Sequence, residues 1–231
     1  YDPEKYVEIK KTFFEYSDEN SVNVFGLTDP IMKDLLSDFI TSSKGKNILF
    51  GSRYISKVSG FDENKKVVHK CCATKGELSQ LRTSKYVQSE MGNCYAEAER
   101  FLEEGKTVLF TGTPCQIGGL FAYLKKEYSN LFTQDIVCHG VPSPLVFKEY
   151  LQFKERSASS KIKNINFRNK ITGWKKYSVT IEFENDEKYS GVLYKDSFMR
   201  GFLNHLYLRP SCSLCPFKQI HRQSDITNSF S

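Results

Sequence analysis

The sequence predicts an α/β fold: a mixed, partly parallel sheet with flanking helices, a β-hairpin excursion and a cysteine-rich C-terminal loop. Three observations predict it. Thr107-Val108-Leu109-Phe110 and Asp135-Ile136-Val137-Cys138 are strand-like runs, and each leads through a Gly/Pro-marked loop into a helix start. Tyr177, Val179, Ile181 and Phe183 alternate with Ser178, Thr180 and Glu182, the period of a hairpin strand, and a turn follows at Asn185-Asp186. Finally, Cys212-Ser213-Leu214-Cys215 makes a C-x-x-C pair between Pro210 and Pro216.

The elements follow in order. Ile31, Leu35, Leu36, Phe39 and Ile40 recur at helical spacing, so an amphipathic helix is expected over 30–42. Residues 47–50 and 66–69 read as short strands. Residues 91–104 read as a helix closed by Gly105. After Phe110, Thr113 suits the helix cap, Pro114 the first helical position and Gln116 the third, which together make a capping box. Cys115 then lies in the first turn of a helix running through Leu120, Phe121 and Leu124, where the N-terminal field favours an anionic thiolate centre. The pattern repeats after Cys138, with Ser143-Pro144 opening a second helix. The result is a βαβ unit whose parallel strands carry both cysteines at their carboxyl ends. Adjacent strands are about 4.8 Å apart, so one centre can take ligands from both. A helix around 198–206 leads into the C-x-x-C loop.

The chain has 231 residues, 39% of them hydrophobic and 26% charged, the composition of a globular protein with one large core. No apolar run is long enough to span a bilayer and no signal-peptide pattern opens the sequence, so the cytoplasm is the expected compartment. Clustered thiols there bind metal or do redox chemistry more often than they form disulfides. The net charge is +6, richest over Lys161, Lys163, Arg168, Lys170, Lys175 and Lys176. That stretch reads as a solvated strand face. The alternative is a surface for an anionic coenzyme or an acidic partner, and no nucleic-acid-binding signature accompanies it.

Cys115, Cys138, Cys212 and Cys215 are the candidate metal ligands, two loop cysteines plus one chelating pair, suited to an iron–sulfur cluster or to zinc. Cys71, Cys72 and Cys94 read as structural, because neighbours in an extended segment point to opposite faces. His139 either touches a cluster sulfur or packs its loop, while His69, His205 and His221 read as structural. Thr111, Gly112 and Thr113 either bind a phosphate at the helix start or shape the cysteine loop. Arg168 and Lys170 either hold a coenzyme tail or sit at the surface, and Trp174 reads as core.

Several segments carry a family resemblance: residues 81–89 (Leu81-Arg82-Thr83-Ser84-Lys85-Tyr86-Val87-Gln88-Ser89), 110–116 and 135–142, then Asn166-Phe167-Arg168, Thr172-Gly173-Trp174, Met199-Arg200-Gly201 and Arg222-Gln223-Ser224-Asp225. In this order they resemble the coenzyme F420 hydrogenase/dehydrogenase beta-subunit family over roughly residues 60–227. The resemblance implies a single domain over 1–231, with a divergent part over 1–80, an α/β core over 81–160 and a hairpin and C-x-x-C part over 161–231. It implies a flavo-iron–sulfur oxidoreductase that passes electrons between a hydride donor, such as reduced coenzyme F420, and a one-electron partner protein or subunit. FAD and a [4Fe–4S] cluster would carry them. The four cysteines would hold the cluster, and Lys85, Tyr86 and Gln88 would contact the flavin. The family's Ser/Gly-rich loop is replaced here by Phe25-Gly26-Leu27-Thr28-Asp29-Pro30-Ile31. An alternative is therefore an accessory or binding protein, in a pathway such as polysaccharide synthesis, that keeps the cluster or a zinc ion for structure. Oligomeric state is left open, with a homo-oligomer among the expectations.

Overall fold

A strand without polar alternation needs cover on both faces, and Thr107–Thr111 has it: Val108, Leu109 and Phe110 are all fully buried. Burying a side chain the size of Phe110 contributes about 2–3 kcal/mol. This strand is the centre of a five-stranded sheet in the computed structural model, which describes residues 47–54, 56–57, 60–61, 66–73, 85–173 and 176–228.

The described strands, in chain order, are β1 (Asn47–Tyr54), β2 (Ser56–Lys57), β3 (Gly60–Phe61), β4 (Val67–Cys72), β5 (Thr107–Thr111), β6 (Leu131–Ile136), β7 (Ile162–Asn169), β8 (Ser178–Phe183), β9 (Lys188–Val192) and β10 (Ile226–Asn228). The helices are α1 (Cys94–Glu103), α2 (Pro114–Leu124), α3 (Pro144–Ala158), α4 (Ser197–Leu203) and α5 (Pro210–Ser213). The large sheet has the order β10-β6-β5-β1-β4. Its first four strands are parallel, and β4 lies antiparallel on β1 at one edge. The expected βαβ unit is β5-α2-β6, with Val108 opposite Leu131 and Thr111 opposite Gln134. α1 and α2 cover one face, where Ala98, Leu102, Ile117, Leu120 and Leu124 pack on Val108, Phe110 and Leu131.

The second cysteine strand departs from expectation. It runs from Leu131 to Ile136 and stops short of Cys138. Thr133, Gln134 and Asp135 are buried although polar, so a reading by hydrophobicity sees no strand there. Thr133 is satisfied by Asp225, whose Oδ2 accepts from the Thr133 amide and hydroxyl, both at 2.7 Å. Val137, expected inside the strand, is largely exposed, and Cys138 stands in the loop two residues past the strand end.

The hairpin is present as β8-β9, turning at Asp186 with φ +64°. β7 adds a third antiparallel strand, in the order β7-β8-β9. The basic stretch over 161–170 is mostly this strand, with Lys163 exposed. A second core lies between this sheet and helices α3 and α4, built on Phe147, Leu151, Phe167, Ile181, Phe198 and Phe202. Buried Asp196 caps α4 by accepting from the Met199 amide at 2.9 Å and takes the Tyr150 and Tyr189 hydroxyls as well. From α4 the chain returns through α5 to β10, which pairs in parallel with β6. The expected helix over 30–42, the Phe25–Ile31 segment, residues Leu81 to Ser84 and Trp174 lie outside the described residues.

Candidate metal and cofactor site

Three chain segments, which carry Cys115, Cys138 and the Cys212/Cys215 pair, meet near the carboxyl edge of the parallel strands. Cys115 is the second residue of α2, exposed, with its Sγ 3.2 Å from the Thr113 hydroxyl. Gln116 folds back so that its Oε1 accepts from the Thr113 amide at 2.9 Å, the expected reciprocal arm of the capping box.

Cys138 is set beside Cys212 by a short antiparallel zipper. The Ser143 amide donates to the Tyr207 carbonyl and the Arg209 amide to the Val141 carbonyl, both at 3.0 Å, and Pro142 bridges Leu208. Between them Gly140 has φ +128°, and a Cβ there would lie 2.9 Å from Leu208 and 3.5 Å from the Cys212 Cβ. Only glycine lets the loop lie this close. Cys212 sits in α5, and its amide donates to the Arg209 carbonyl at 2.9 Å. Beyond Cys215, Phe217 presses on α2: a Cβ on Gly118 would come within 2.3 Å of its ring. That contact carries the C-x-x-C segment onto the helix that bears Cys115.

Burial pushes the Cys138 thiol up, a hydrogen bond with Gly140 opposes this, and the thiols of Cys115, Cys212 and Cys215 push it further up. Cys138 therefore lies within the electrostatic reach of all three others. Among the described residues no three Cys, His, Asp or Glu side chains already stand close enough to grip an ion. All seven cysteines are free thiols. Cys72 and Cys94 are buried; the Cys94 thiol donates to the His69 carbonyl at 3.0 Å, and burial pushes it up to about 11.

The loop Thr111-Gly112-Thr113 is bonded inward. The Thr111 carbonyl accepts from His69 Nε2 at 2.7 Å, the Gly112 amide donates to the Gln134 carbonyl at 3.0 Å, and the Thr113 amide is held by Gln116. Both amides expected to face a phosphate are thus engaged within the protein, which favours the loop-shaping role. His69, expected to be structural, does more than fill space. It is 3% exposed and stacked on Phe110 at 5.1 Å, and its Nδ1 takes the Ser89 hydroxyl at 3.2 Å. With the Nε2 proton on the Thr111 carbonyl, the ring is neutral, and burial lowers its pKa to about 4. Ser89 in turn accepts from Gln116 Nε2 at 2.9 Å. His69, Ser89 and Gln116 thus form one relay under the loop. No spacing in the sequence ties residue 69 to residue 111.

The expected flavin contacts form a second group on the antiparallel-sheet side. Lys85 is half-buried, and burial lowers its pKa to about 7. Tyr86 packs against Phe167 and Phe202, and burial together with Tyr177 raises its pKa. The Arg168 guanidinium lies over the Tyr177 ring at 5.1 Å. Gln88 is not free to reach outward, since its Oε1 accepts from Arg209 at 2.8 Å, three residues before Cys212. The segment 85–90 therefore runs from the Tyr86 group to the relay under Thr111, where the Glu90 amide donates to Val67 and its carbonyl takes the His69 amide. His139 lies against His205 at 4.4 Å and Phe202 at 4.9 Å, and burial is the first cause of its lowered pKa.

The model of one family, the C-terminal part of the coenzyme F420 hydrogenase/dehydrogenase beta subunit, matches residues 105–229. The chain belongs to this family. As an F420 hydrogenase/dehydrogenase beta-subunit relative, it also shares its fold with a chain of the F420-reducing [NiFe] hydrogenase complex from Methanosarcina barkeri, solved in a xenon-derivatised form. The TM-score is 0.50 at 17% identity, covering 80% of this chain and 58% of that one. The chain thus spans less than two thirds of that relative's length. No curated protein matches. Among the described residues no helix is long and apolar enough to cross a membrane.

Proposed function

We propose that this chain is a flavo-iron–sulfur oxidoreductase of the F420 hydrogenase beta-subunit type, moving electrons between a hydride donor and a one-electron protein partner. The observation that supports it is that Cys138, after β6, lies in the field of Cys115 from α2 and of Cys212 and Cys215 from the C-x-x-C segment. Four thiols brought to one centre would be a donor set suited to an iron–sulfur cube. Their segments hold no carboxylate: residues 111–126, 136–148 and 197–224 contain neither Asp nor Glu, although the chain has 27. An acid-free surround suits an anionic centre.

When bound, a flavin accepts a hydride and a [4Fe–4S] cluster one electron, and that chemistry belongs to the cofactors. The protein's own part is placement. Gln116, Ser89 and His69 hold the Cys115 loop, Gly140 and the 141–143 zipper hold Cys138 against α5, and Phe217 holds the C-x-x-C flank on α2. Arg168 over the Tyr177 ring, with Lys85 next to Tyr86 in the chain, supplies cations and an aromatic face of the kind that suits a phosphate-bearing coenzyme with a flat ring. With its pKa near neutrality, Lys85 becomes fully charged when an anion settles beside it.

Iron, labile sulfide and flavin measured on one anaerobically purified sample test the reading. About four iron and four sulfide per chain, with FAD bound, are expected. Stoichiometric zinc without sulfide after anaerobic reconstitution would end the cluster claim. An intact cluster without detectable FAD binding by calorimetry would favour the accessory-protein reading.

A further inference from the structure

The surface around the four cysteines combines two properties that a cluster does not need. Leu214 between Cys212 and Cys215 is 88% exposed, Ile220 95%, Leu206 75% and Val137, next to Cys138, 53%. Single exposed leucines are ordinary, but here four large apolar side chains fall within a few residues of the candidate ligands or, for Leu206, beside the His205–His139 contact. Along the chain beside them the charge is of one sign: Arg209, Lys218 and Arg222 flank the C-x-x-C pair, and residues 136–148 and 197–224 hold no Asp or Glu. A positive surround alone would serve the cluster itself. Exposed leucine and isoleucine lower no electrostatic energy there, and each keeps apolar area in water at a cost of about 25 cal/mol per Å² until something covers it. An apolar centre with a cationic rim is the anatomy of a protein docking face.

We infer that this face docks an acidic electron-transfer protein that presents its own apolar centre, placed over Leu214 and Ile220 with its carboxylates toward Lys218, Arg209 and Arg222. The inference rests on the proposed redox function and names the class of its one-electron partner. Charge complementarity selects the occupant: a second copy of this chain would set the same cationic rim against itself. Cys115 is exposed and Cys138 lies in its field and in that of Cys212 and Cys215, so a carrier docked on the C-x-x-C segment would stand beside the thiol site.

The test uses the full chain, reconstituted anaerobically, with iron and sulfide assayed on the same sample. The probes are a small acidic ferredoxin and, at similar size, a basic cytochrome c. Calorimetry is expected to detect the ferredoxin alone, with affinity falling on the order of tenfold between about 50 and 300 mM salt. Leu214→Ser and Ile220→Ser should each weaken it roughly tenfold while iron content stays at the parent level. Lys218→Glu should slow association, and Tyr194→Ser, an exposed position outside these segments, should leave binding at the parent level. Equal binding of both probes, or parent affinity in both Leu214→Ser and Ile220→Ser with iron retained, overturns the inference. So does self-association of the free chain in the ultracentrifuge that these two substitutions abolish, because the occupant is then a second copy. Docking with this dependence by a chain that takes up no iron would instead overturn the redox reading and leave the surface standing.

Discussion

The four candidate cysteines come from three local devices, the capped helix at Cys115, the Gly140 loop at Cys138 and the C-x-x-C turn. Changing Cys115, Cys138, Cys212 or Cys215 singly to Ser removes one of four thiolates and should cost most of the bound iron. Cys71→Ser, Cys72→Ser and Cys94→Ser should keep it, since Cys72 and Cys94 are buried, and Cys94 bonds the His69 carbonyl. Iron analysis after anaerobic reconstitution decides, and a cluster lost from one of the last three but kept in Cys115→Ser would refute the assignment. His69 gives a pH expectation. Its folded pKa of about 4 lies below the unfolded value near 6.5, so between those values the unfolded chain binds the extra proton. Stability is therefore fully present above about pH 6.5, declines as pH falls and levels off below about 4, a loss on the order of 3 kcal/mol. Urea midpoints against pH should show this decline, and His69→Phe should flatten it over that window. An unchanged slope in the variant would assign the decline to other groups.

At the scale of elements, the contacts that carry the cysteines together can be broken one at a time. Asp225 clamps β10 and the segment before it onto β6 through three bonds with Thr133, at 2.7, 2.7 and 3.0 Å. Asp225→Ala removes the carboxylate that accepts from the buried Thr133 amide and hydroxyl, leaving only the backbone bond, and should cost about 2–3 kcal/mol. It should also free the C-x-x-C flank, so iron content should fall although residue 225 is no ligand. Full iron retention alongside lowered stability would show that the flank stays docked without the clamp. Gly112→Val tests the loop. A Cβ at 112 would meet Gln116 Oε1 at 3.1 Å and its Cβ at 3.2 Å, so the substitution disturbs the capping box rather than a ligand's approach. The expected outcome is lower stability and poorer cluster retention, read by thermal melts and iron assay. Weakened FAD binding with stability and cluster intact would return this loop to the flavin.

At the scale of the molecule, a four-thiolate centre would tie α2, the loop after β6 and α5 into one unit. A ligand held only by the folded chain raises stability by mass action, so reconstitution should raise the thermal midpoint and chelation should lower it. It should also slow proteolysis within residues 204–224, a mostly exposed segment with little core of its own. Equal midpoints and cleavage rates with and without iron would show that the segments are already fixed by packing.

The sequence by itself determined the βαβ unit, the capping box at Thr113 to Gln116, the hairpin and the identity of the four candidate thiols. Each of these is written in neighbouring residues, as an apolar run, a capping pattern, a period of two or a short spacing. The extent of the second cysteine strand was not legible. Thr133 can be buried because Asp225, 92 residues away, accepts from its amide and hydroxyl, and Gln134 and Asp135 lie on a strand paired on both sides. The same holds for His69 beneath Thr111, for Gln88 bound to Arg209, and for the inward-turned amides of residues 112 and 113. Hydrogen bonds across such separations leave no periodic mark in a chain. Only the tertiary structure decided which polar groups are held inside the protein and which cysteine-bearing segments touch, because both depend on where the sheet order β10-β6-β5 brings distant segments together.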